Sequence, residues 1–306
     1  MDPVIREELC RIISEPVRWD CPLAGYTSFA IGGPAEALVK VRDRRELTTL
    51  LGFLRQTDVP SRIIGKGTNL LVRDEGFAGV VILLGEGFRQ MEFGSCRSGR
   101  CVVALGAGCS LAKAAAVCMD RGLAGLEFAG GIPGTVGGAV IMNAGAWGGD
   151  MAAVITTVTV LDPEGERVLL RENLDFGYRC WRDFPKFCDR TLVVAVELEL
   201  QEDDPQQIRH RHAALQARRR AGQPPGQGNA GSFFKNPADD AAGRLIEAAG
   251  LKGTRIGGAM VSKQHANFLV NTGGATAADV LALMRLVQKK VRQHSGVELE
   301  PEVHFL

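Results

Sequence analysis

Nine of the twenty-five residues from Gly125 to Gly149, GLEFAGGIPGTVGGAVIMNAGAWGG, are glycine, and most of the others are small or apolar. Glycine loses more backbone entropy on ordering than any other residue, so this density in a folded domain means positive φ angles or a close main-chain approach that a Cβ would forbid. A buried cofactor is the usual reason. The segment has no period, and Ile132, Pro133, Val136, Val140, Ile141 and Asn143 punctuate it irregularly, as in an ordered loop rather than a low-complexity linker. A second candidate is IIGKGTNLLVRD at 63–74. Here a strand runs into Gly65, Lys66, Gly67, Thr68, Asn69 and Leu70, and successive main-chain N–H groups in such a turn form an anion nest suited to a pyrophosphate. The order GKG-T is not a Walker A loop, because the spaced upstream glycine is missing and strand-like LLV stands where a helix belongs. Neither stretch carries a GxGxxG fingerprint between strand and helix. By itself the 65–70 loop is equally an ordinary turn; taken with Gly130, Gly131, Gly134, Gly137 and Gly138 it reads as one jaw of a two-loop clamp on a dinucleotide.

Other reactive side chains point away from metal chemistry. The eight cysteines, Cys10, Cys21, Cys96, Cys101, Cys109, Cys118, Cys180 and Cys188, include no CxxC pair, so most are expected to be reduced and inert, with Cys118 a small hydrophobe in an apolar helical run. Five histidines assemble no ligand set: His210 and His212 alternate with Arg209 and Arg211, and residues two apart face different sides of a helix. A solvated or anion-facing basic helix is expected there. The formal net charge of +1 gives no reason to expect nucleic acid or an anionic membrane as partner. The opening MDPVIREELCRIISEP is charged throughout, and the longest apolar runs, such as Val80 to Leu84, are short, so a soluble cytoplasmic protein is expected.

The elements that must position these loops fall into three stretches, in keeping with a length of 306 residues. In the first, 1–84, Asp43 opens a capping box with Glu46, and Leu47, Leu50, Leu51 and Leu54 follow at helical spacing, flanked by strands at 37–41, 62–64 and 79–84. The second, 85–203, has a strand at 102–105, a helix capped by Ser110 and stopped before Gly122, and then the glycine-rich segment. Alternating strands follow at 154–161, 166–170 and 191–200, the first two joined by a turn at Pro163-Glu164-Gly165. The third, 204–306, holds the basic helix, a Pro/Gly/Gln loop at 222–228, GSFFKNP, and a helix from Ala241 stopped at Gly250. Its last helix has Thr276 as N-cap, Asp279 three residues on, Val280, Leu283, Val287 and Val291 on one face and Gly296 as its stop. LEPEVHFL reads as a closing strand.

YTSFAIGGPAEALV, GKGTNLLVRD, the glycine-rich segment, FGYR, GSFFKNP, AGRLIEAAGLKG, GGAMVSKQHANFLVN and the final LEPEV together resemble, in order, the motif set of the UDP-N-acetylenolpyruvoylglucosamine reductase (UDP-N-acetylmuramate dehydrogenase) family. The resemblance spans about Tyr26 to Glu302. It implies an α+β fold: a two-subdomain FAD-binding domain of the vanillyl-alcohol-oxidase (PCMH) type over 1–84 and 85–203, then a C-terminal α+β substrate domain over 204–306 whose final strand can return to the FAD domain. It also implies non-covalent FAD, NADPH as hydride donor, and a UDP-sugar enolpyruvyl ether as substrate in peptidoglycan precursor synthesis, by a monomer or weak oligomer. The family's shorter type lacks a tyrosine lid, and only Tyr26 and Tyr178 occur here, neither between Arg179 and Ser232. Another FAD oxidoreductase, of alcohols or sugars, is the alternative on the same cofactor domain; a non-catalytic nucleotide-sugar binding module is a further one. GSFFKNP and LEPEV favour the reductase.

The chemistry that the resemblance implies needs a proton donor and cations that stabilise an enolate-like charge beside a carboxylate. Ser232 in GSFFKNP matches the family's proton donor, a weak acid that suffices because an enolate carbon is a strong base. Arg179 in FGYR matches its arginine, whose planar fork grips a carboxylate in bidentate fashion. The sequence departs from the family just after it, with CWRDF where a serine is expected, which makes Arg182 a minor rival. Glu302 in LEPEV matches the catalytic glutamate; a carboxylate brought up to a substrate carboxylate is driven to its protonated, hydrogen-bond-donating form. Lys235, Asn236, Gln264 and His265 are implied substrate contacts, with Ser262 in the same loop, and Arg218, Arg219 and Arg220 are candidates for the diphosphate or an ordinary solvated face.

Overall fold

The computed structural model describes residues 1–162, 165–184, 191–224 and 226–306; the expected turn residues Pro163 and Glu164, together with Cys188 and Pro225, lie outside the described residues. The main chain groups into two compact units, Met1–Arg18, Ala37–Gly65 and Gly79–Arg218 in one, Trp19–Glu36, Lys66–Ala78 and Arg219–Leu306 in the other. The glycine-rich stretch lies in the first unit, which runs on to Arg218, whereas the 63–74 stretch is divided, with Gly65 in the first unit and Lys66 onward in the second. The second takes in two pieces from the first third of the chain.

The first unit begins with helix Pro3–Ile12, whose N-cap Asp2 accepts the Val4 N–H at 2.8 Å. Helix Arg44–Gln56 buries Leu47, Leu50 and Leu54, while Leu51 is only half-buried. Asp43 caps it by accepting the Glu46 N–H at 3.0 Å, but Glu46 does not close the expected box. Its carboxylate accepts the Arg42 N–H and, at 2.5 Å, the Ser14 N–H, so it ties the end of one helix to the start of the other. Beneath lies a parallel pairing of Ser61–Ile63 with Phe77–Leu84, in register Ser61↔Val80 to Ile63↔Ile82. A larger antiparallel sheet follows, in the order Gly165–Leu170, Ile155–Asp162, Leu192–Glu202, Arg100–Gly106, Met91–Arg97, with Leu123–Ala124 added beside Leu192–Glu202. Its alternating apolar face, including Val103, Leu105, Val158, Val160, Val196 and Leu198, packs on helix Leu111–Asp120 and on the glycine-rich segment in one core. Met91–Arg97 is a strand that the sequence did not announce, because its residues are nearly all exposed or half-exposed.

Cysteine chemistry divides. Cys10, Cys21, Cys109, Cys118 and Cys180 are free thiols, as expected, and burial pushes Cys118 up to about 11, so it is inert. Cys96 and Cys101 instead form a disulfide across a hairpin, with Cα atoms 4.2 Å apart. Hairpin pairing, not sequence spacing, creates that contact.

In the second unit, Gly228–Asn229, Leu269–Asn271, Ala259–Val261 and Arg255–Ile256 form an antiparallel sheet in that order. Helix Ala277–Ser295 carries the full capping box expected at Thr276 and Asp279, buries Val280, Leu283, Val287 and Val291, and ends at left-handed Gly296, φ 74°. The Asp74 carboxylate also accepts the Ala277 and Ala278 N–H groups at 2.7 and 2.9 Å. A single core joins this face to Phe29, Phe233, Phe234, Leu245, Ile246 and Leu299. The closing strand His304–Phe305 pairs in parallel with Leu70–Leu71. Among the described residues no helix is long and apolar enough to cross a membrane.

Candidate active site

The glycine-rich segment folds as a short 3-10 turn, Glu127–Gly131, followed by the six-residue helix Val136–Ile141. The first amides of this helix are spent inside the unit: Val136 N–H donates to Cys109 O and Gly137 N–H to Ala107 O, both at 2.9 Å. What it presents outward is smooth main-chain surface around exposed Pro133 and Gly138, beside half-exposed Gly130, Gly131, Ile132 and Gly134. The glycines serve different neighbours. A Cβ on Gly137 would stand 2.9 Å from Ala107 Cβ, and one on Gly130 would stand 2.2 Å from a ring carbon of His212. A Cβ on Gly138 would meet nothing nearer than Thr135 Oγ1 at 3.5 Å, an ordinary contact. Gly65 belongs to the same place, since its Cβ would fall 2.5 Å from Thr135 Oγ1.

The basic helix Pro205–Gly222 turns out to brace this segment rather than to be only a solvated face. Arg211 reaches both Glu127, at 2.9 Å, and Asp203, at 2.6 Å. Glu127 also accepts the Gly125 N–H at 2.7 Å, and His212 Nδ1 lies 3.2 Å from Glu127 O. Asn143, expected at the cofactor, is buried in the left-handed region at φ 39°. Its amide donates to Asp150 and to Gly177 O, at 3.2 and 2.9 Å, and its oxygen accepts the Ala152 N–H at 2.9 Å. That side chain is committed to fastening the glycine segment to the FGYR hairpin.

In that hairpin Phe176–Gly177 pairs with Cys180–Trp181, leaving Tyr178 and Arg179 as the turn. Arg179 has φ 55°, a turn position that ordinarily falls to glycine. The CWRDF departure has a structural purpose: Trp181 is buried between Phe176 and Phe184, ring centroids 5.6 and 5.0 Å away. Arg182 is held by Asp175 at 2.7 Å, so the rival to Arg179 is a brace of its own loop.

In the second unit the main chain brings Ser232 and Glu302 together. Phe234 and Pro301 form an antiparallel bridge, Glu302 N–H donates to Phe233 O at 2.8 Å and Lys235 N–H to Glu300 O at 2.9 Å. Glu302 is fixed from the other side too: its carbonyl accepts Asn69 Nδ2 at 3.0 Å, and His304 N–H donates to Asn69 O at 3.1 Å. So Asn69, read as a cofactor residue, also anchors the glutamate. Gly67 is buried at φ 59° with no room for a Cβ, which would stand 2.1 Å from Tyr26 O. Its carbonyl accepts the Ser28 N–H at 3.0 Å.

One residue that the sequence reasoning missed holds the serine. Asn267, buried at 3% exposure, accepts Phe233 N–H on its main-chain oxygen at 2.7 Å and Phe234 N–H on its side-chain oxygen at 2.9 Å, and donates to Phe234 O at 2.8 Å. Upstream, Asn229 Oδ1 accepts the Gly231 N–H at 2.9 Å. Ser232 therefore sits between two fixed points. Asn267→Ala strands a buried N–H and C=O and is expected to cost on the order of 2–4 kcal/mol, read as a lowered denaturant midpoint in equilibrium unfolding; an unchanged midpoint would contradict this role.

A model of the C-terminal domain of UDP-N-acetylenolpyruvoylglucosamine reductase matches residues 223–306, and a model of an FAD binding domain matches residues 35–171. The reductase of Syntrophus aciditrophicus is 43% identical over 306 residues, 100% of this chain and 96% of that protein; that of Geobacter metallireducens is 46% identical over 289 residues, 94% and 93%. The chain belongs to the UDP-N-acetylenolpyruvoylglucosamine reductase family. The crystal structure of the Thermus caldophilus reductase agrees at a TM-score of 0.80 and 39% identity, over 95% of this chain and 98% of that one. The α+β class expected, an FAD-binding part followed by a C-terminal part, is the one the chain has.

The residues present fit the family's flavin. A glycine inside a helix costs about 1 kcal/mol relative to alanine, and at exposed Gly138 no protein atom demands it. Its outer face is open main-chain surface on which a flat ligand has room to lie. The other expected substrate residues of the reductase lie in the second unit. Lys235 Nζ pairs with Glu300 at 2.5 Å, and exposed Asn236 accepts the Ala242 N–H on Oδ1 at 3.0 Å. Ser262 Oγ accepts the N–H groups of Gln264 and His265, at 3.2 and 3.3 Å, and Gln264 Nε2 donates to Ala221 O at 3.1 Å. Of the three consecutive arginines, Arg219 is the one drawn inward: burial holds it below its ordinary range, and its Nε donates to Gln223 at 3.0 Å.

Two histidines give this unit a pH dependence. Burial, then the charge of Lys252, lowers His265 from the ordinary 6.5; desolvation, then Lys235, lowers His304, whose exposed side chain gives it the smaller share. His265 Nδ1 accepts the Asn267 N–H at 3.2 Å, as a neutral imidazole does. Between the folded values and 6.5 the unfolded chain binds more protons than the fold, so stability falls as pH drops below about 6.5, and this loss is complete below the folded values. Thermal midpoints are expected to fall between about pH 7 and pH 5, with a shallower fall in His265→Gln/His304→Gln. An equal slope in that variant would refute the assignment.

Proposed function

We infer that the chain reduces the enolpyruvyl ether of UDP-N-acetylglucosamine to UDP-N-acetylmuramate, a peptidoglycan precursor, in the cytoplasm, with NADPH as hydride source. It works as a monomer or weak oligomer, without a nucleic-acid or membrane partner. Bound FAD supplies a two-electron hydride carrier. Gly131, Ile132, Pro133, Gly134 and Gly138 hold it, with Gly65 beside Thr135 and the loop continuing through Lys66, Gly67, Thr68, Asn69 and Leu70; Gly130, Gly137 and Asn143 act by positioning the segment.

The observation that carries this reading is the main-chain ladder that sets Ser232 against the Glu300–Glu302 segment. Ser232, on main chain that Asn229 and Asn267 hold on either side, gives its proton to the carbon next to the substrate carboxylate, and that fixed backbone offsets its weak acidity. Glu302 polarises that carboxyl group as a hydrogen-bond donor. Arg179 grips it as a permanent cation, and its left-handed φ is backbone strain of the kind found at functional positions. Lys235, Asn236, Gln264 and His265 bind the sugar nucleotide. Turnover in D2O tests the assignment by mass spectrometry: the product should carry one solvent deuteron on the carbon beside the carboxylate. A product without solvent label there would exclude protonation by a solvent-exchanging hydroxyl.

A further inference from the structure

Away from the residues given to the reductase, the first unit gathers a second chemical group. Strands Met91–Arg97 and Arg100–Gly106 turn through Ser98 and Gly99, both left-handed at φ 50° and 75°, and the register sets Cys96 directly opposite Cys101. The same turn is pinned to the strand Leu192–Glu202: Glu202 N–H donates to Gly99 O at 2.8 Å, and Gln201 pairs with Arg100. Three neighbouring strands thus bring three ligand-type atoms to one point, two sulfurs and a carboxylate oxygen of Glu202, all within 4.8 Å of one another. Cys101 is buried, whereas Cys96 and Glu202 are exposed, so the point is open to solvent on one side.

We propose that Cys96, Cys101 and Glu202 form a redox-gated site for a thiophilic divalent cation of the zinc class, filled when the cysteines are a dithiol and closed when they are the disulfide. The geometry suits both states. Two thiolates bound tetrahedrally at about 2.3 Å stand about 3.8 Å apart, a separation that two cysteines with Cα atoms 4.2 Å apart reach once the S–S bond is open. Glu202 supplies the third ligand and water the fourth. A carboxylate beside two thiols disfavours their ionisation; a bound cation reverses that balance and favours the dithiolate. A low-molecular-weight disulfide closes the site: one protein thiolate attacks it and expels a small thiolate, and the second displaces the other from the mixed disulfide. Two electrons pass to the small disulfide, which leaves as two thiols after taking up two protons, and the cation departs as the free ion.

The test uses the full-length flavin-loaded protein, reduced and desalted under nitrogen, and Co2+ as the probe. One equivalent should produce the visible d–d bands of tetrahedral thiolate-bound cobalt, to the red of the flavin, and Zn2+ should abolish them. After treatment with oxidised glutathione, two thiols fewer should titrate and no band should form. Cys96→Ser/Cys101→Ser should show no band, although every other cysteine remains, and the exposed Glu202→Gln should weaken cobalt binding at least about tenfold. Absence of the band in protein with both thiols shown to be reduced, its persistence in the double variant or the oxidised protein, or a thiol count unmoved by oxidation would each overturn the proposal.

Discussion

Replacing Ser232 by alanine leaves the reduction of bound flavin by NADPH nearly unchanged and slows its reoxidation by the enolpyruvyl sugar nucleotide by roughly 10²- to 10⁴-fold. The split follows from where the serine sits. The proposed cofactor cradle is the glycine segment, a different stretch of chain, and the backbone beside Ser232 is held independently by Asn229, by Asn267 and by the Glu302 N–H to Phe233 O bond. Alanine therefore removes a proton donor without moving the loop. Rapid mixing under nitrogen, following the two half-reactions separately, reads the effect. Equal slowing of both, or of neither, would take the proton donor's role away from Ser232.

Gly138→Ala should separate folding from cofactor binding in the opposite sense to most core substitutions. The added methyl meets only Thr135 Oγ1, at 3.5 Å, and a helical alanine is worth about 1 kcal/mol over glycine. The flavin-free protein should be as stable as the parent or slightly more so. Affinity for FAD should nevertheless fall at least about tenfold, because one displaced contact against a flat ligand forfeits the order of 1–2 kcal/mol. Equilibrium titration with FAD, alongside denaturant unfolding of the flavin-free form, measures both. A variant that binds FAD as tightly as the parent would mean that the exposed face of the glycine helix is not the cofactor's resting place. Gly137→Ala is the contrast, since there the new methyl stands 2.9 Å from Ala107 Cβ and stability itself should drop.

What the sequence disclosed and what it hid divide by range of interaction. The helix Ala277–Ser295 was legible to the residue, because Thr276, Asp279, the apolar stripe and Gly296 act within one or two turns of each other. The Asp43 cap was half legible: the cap is local, but Glu46 finds Ser14, 32 residues away, in preference to closing the box. Asn267 was invisible, since its partners on Phe233 and Phe234 lie more than thirty positions upstream and an asparagine in a loop has many uses. The same holds for Arg211 reaching Glu127, 84 residues back, and for Cys96 meeting Cys101, which depends on a strand, MEFGSCR, too exposed to show alternation. At the candidate site the motif set proposes Ser232, Arg179 and Glu302 by residue type and order. The strain at Arg179 was not readable, because a positive φ on arginine is imposed by the hairpin around it.

This chain carries FAD and passes reducing equivalents from NADPH to an enolpyruvyl UDP-sugar. A visible absorption spectrum under nitrogen tests it most directly. The purified protein should show the flavin bands, lose them on addition of NADPH, and regain them on addition of UDP-N-acetylglucosamine enolpyruvate. Colourless protein that takes up no FAD, or flavin that is restored by oxygen but not by the sugar nucleotide, would contradict the account.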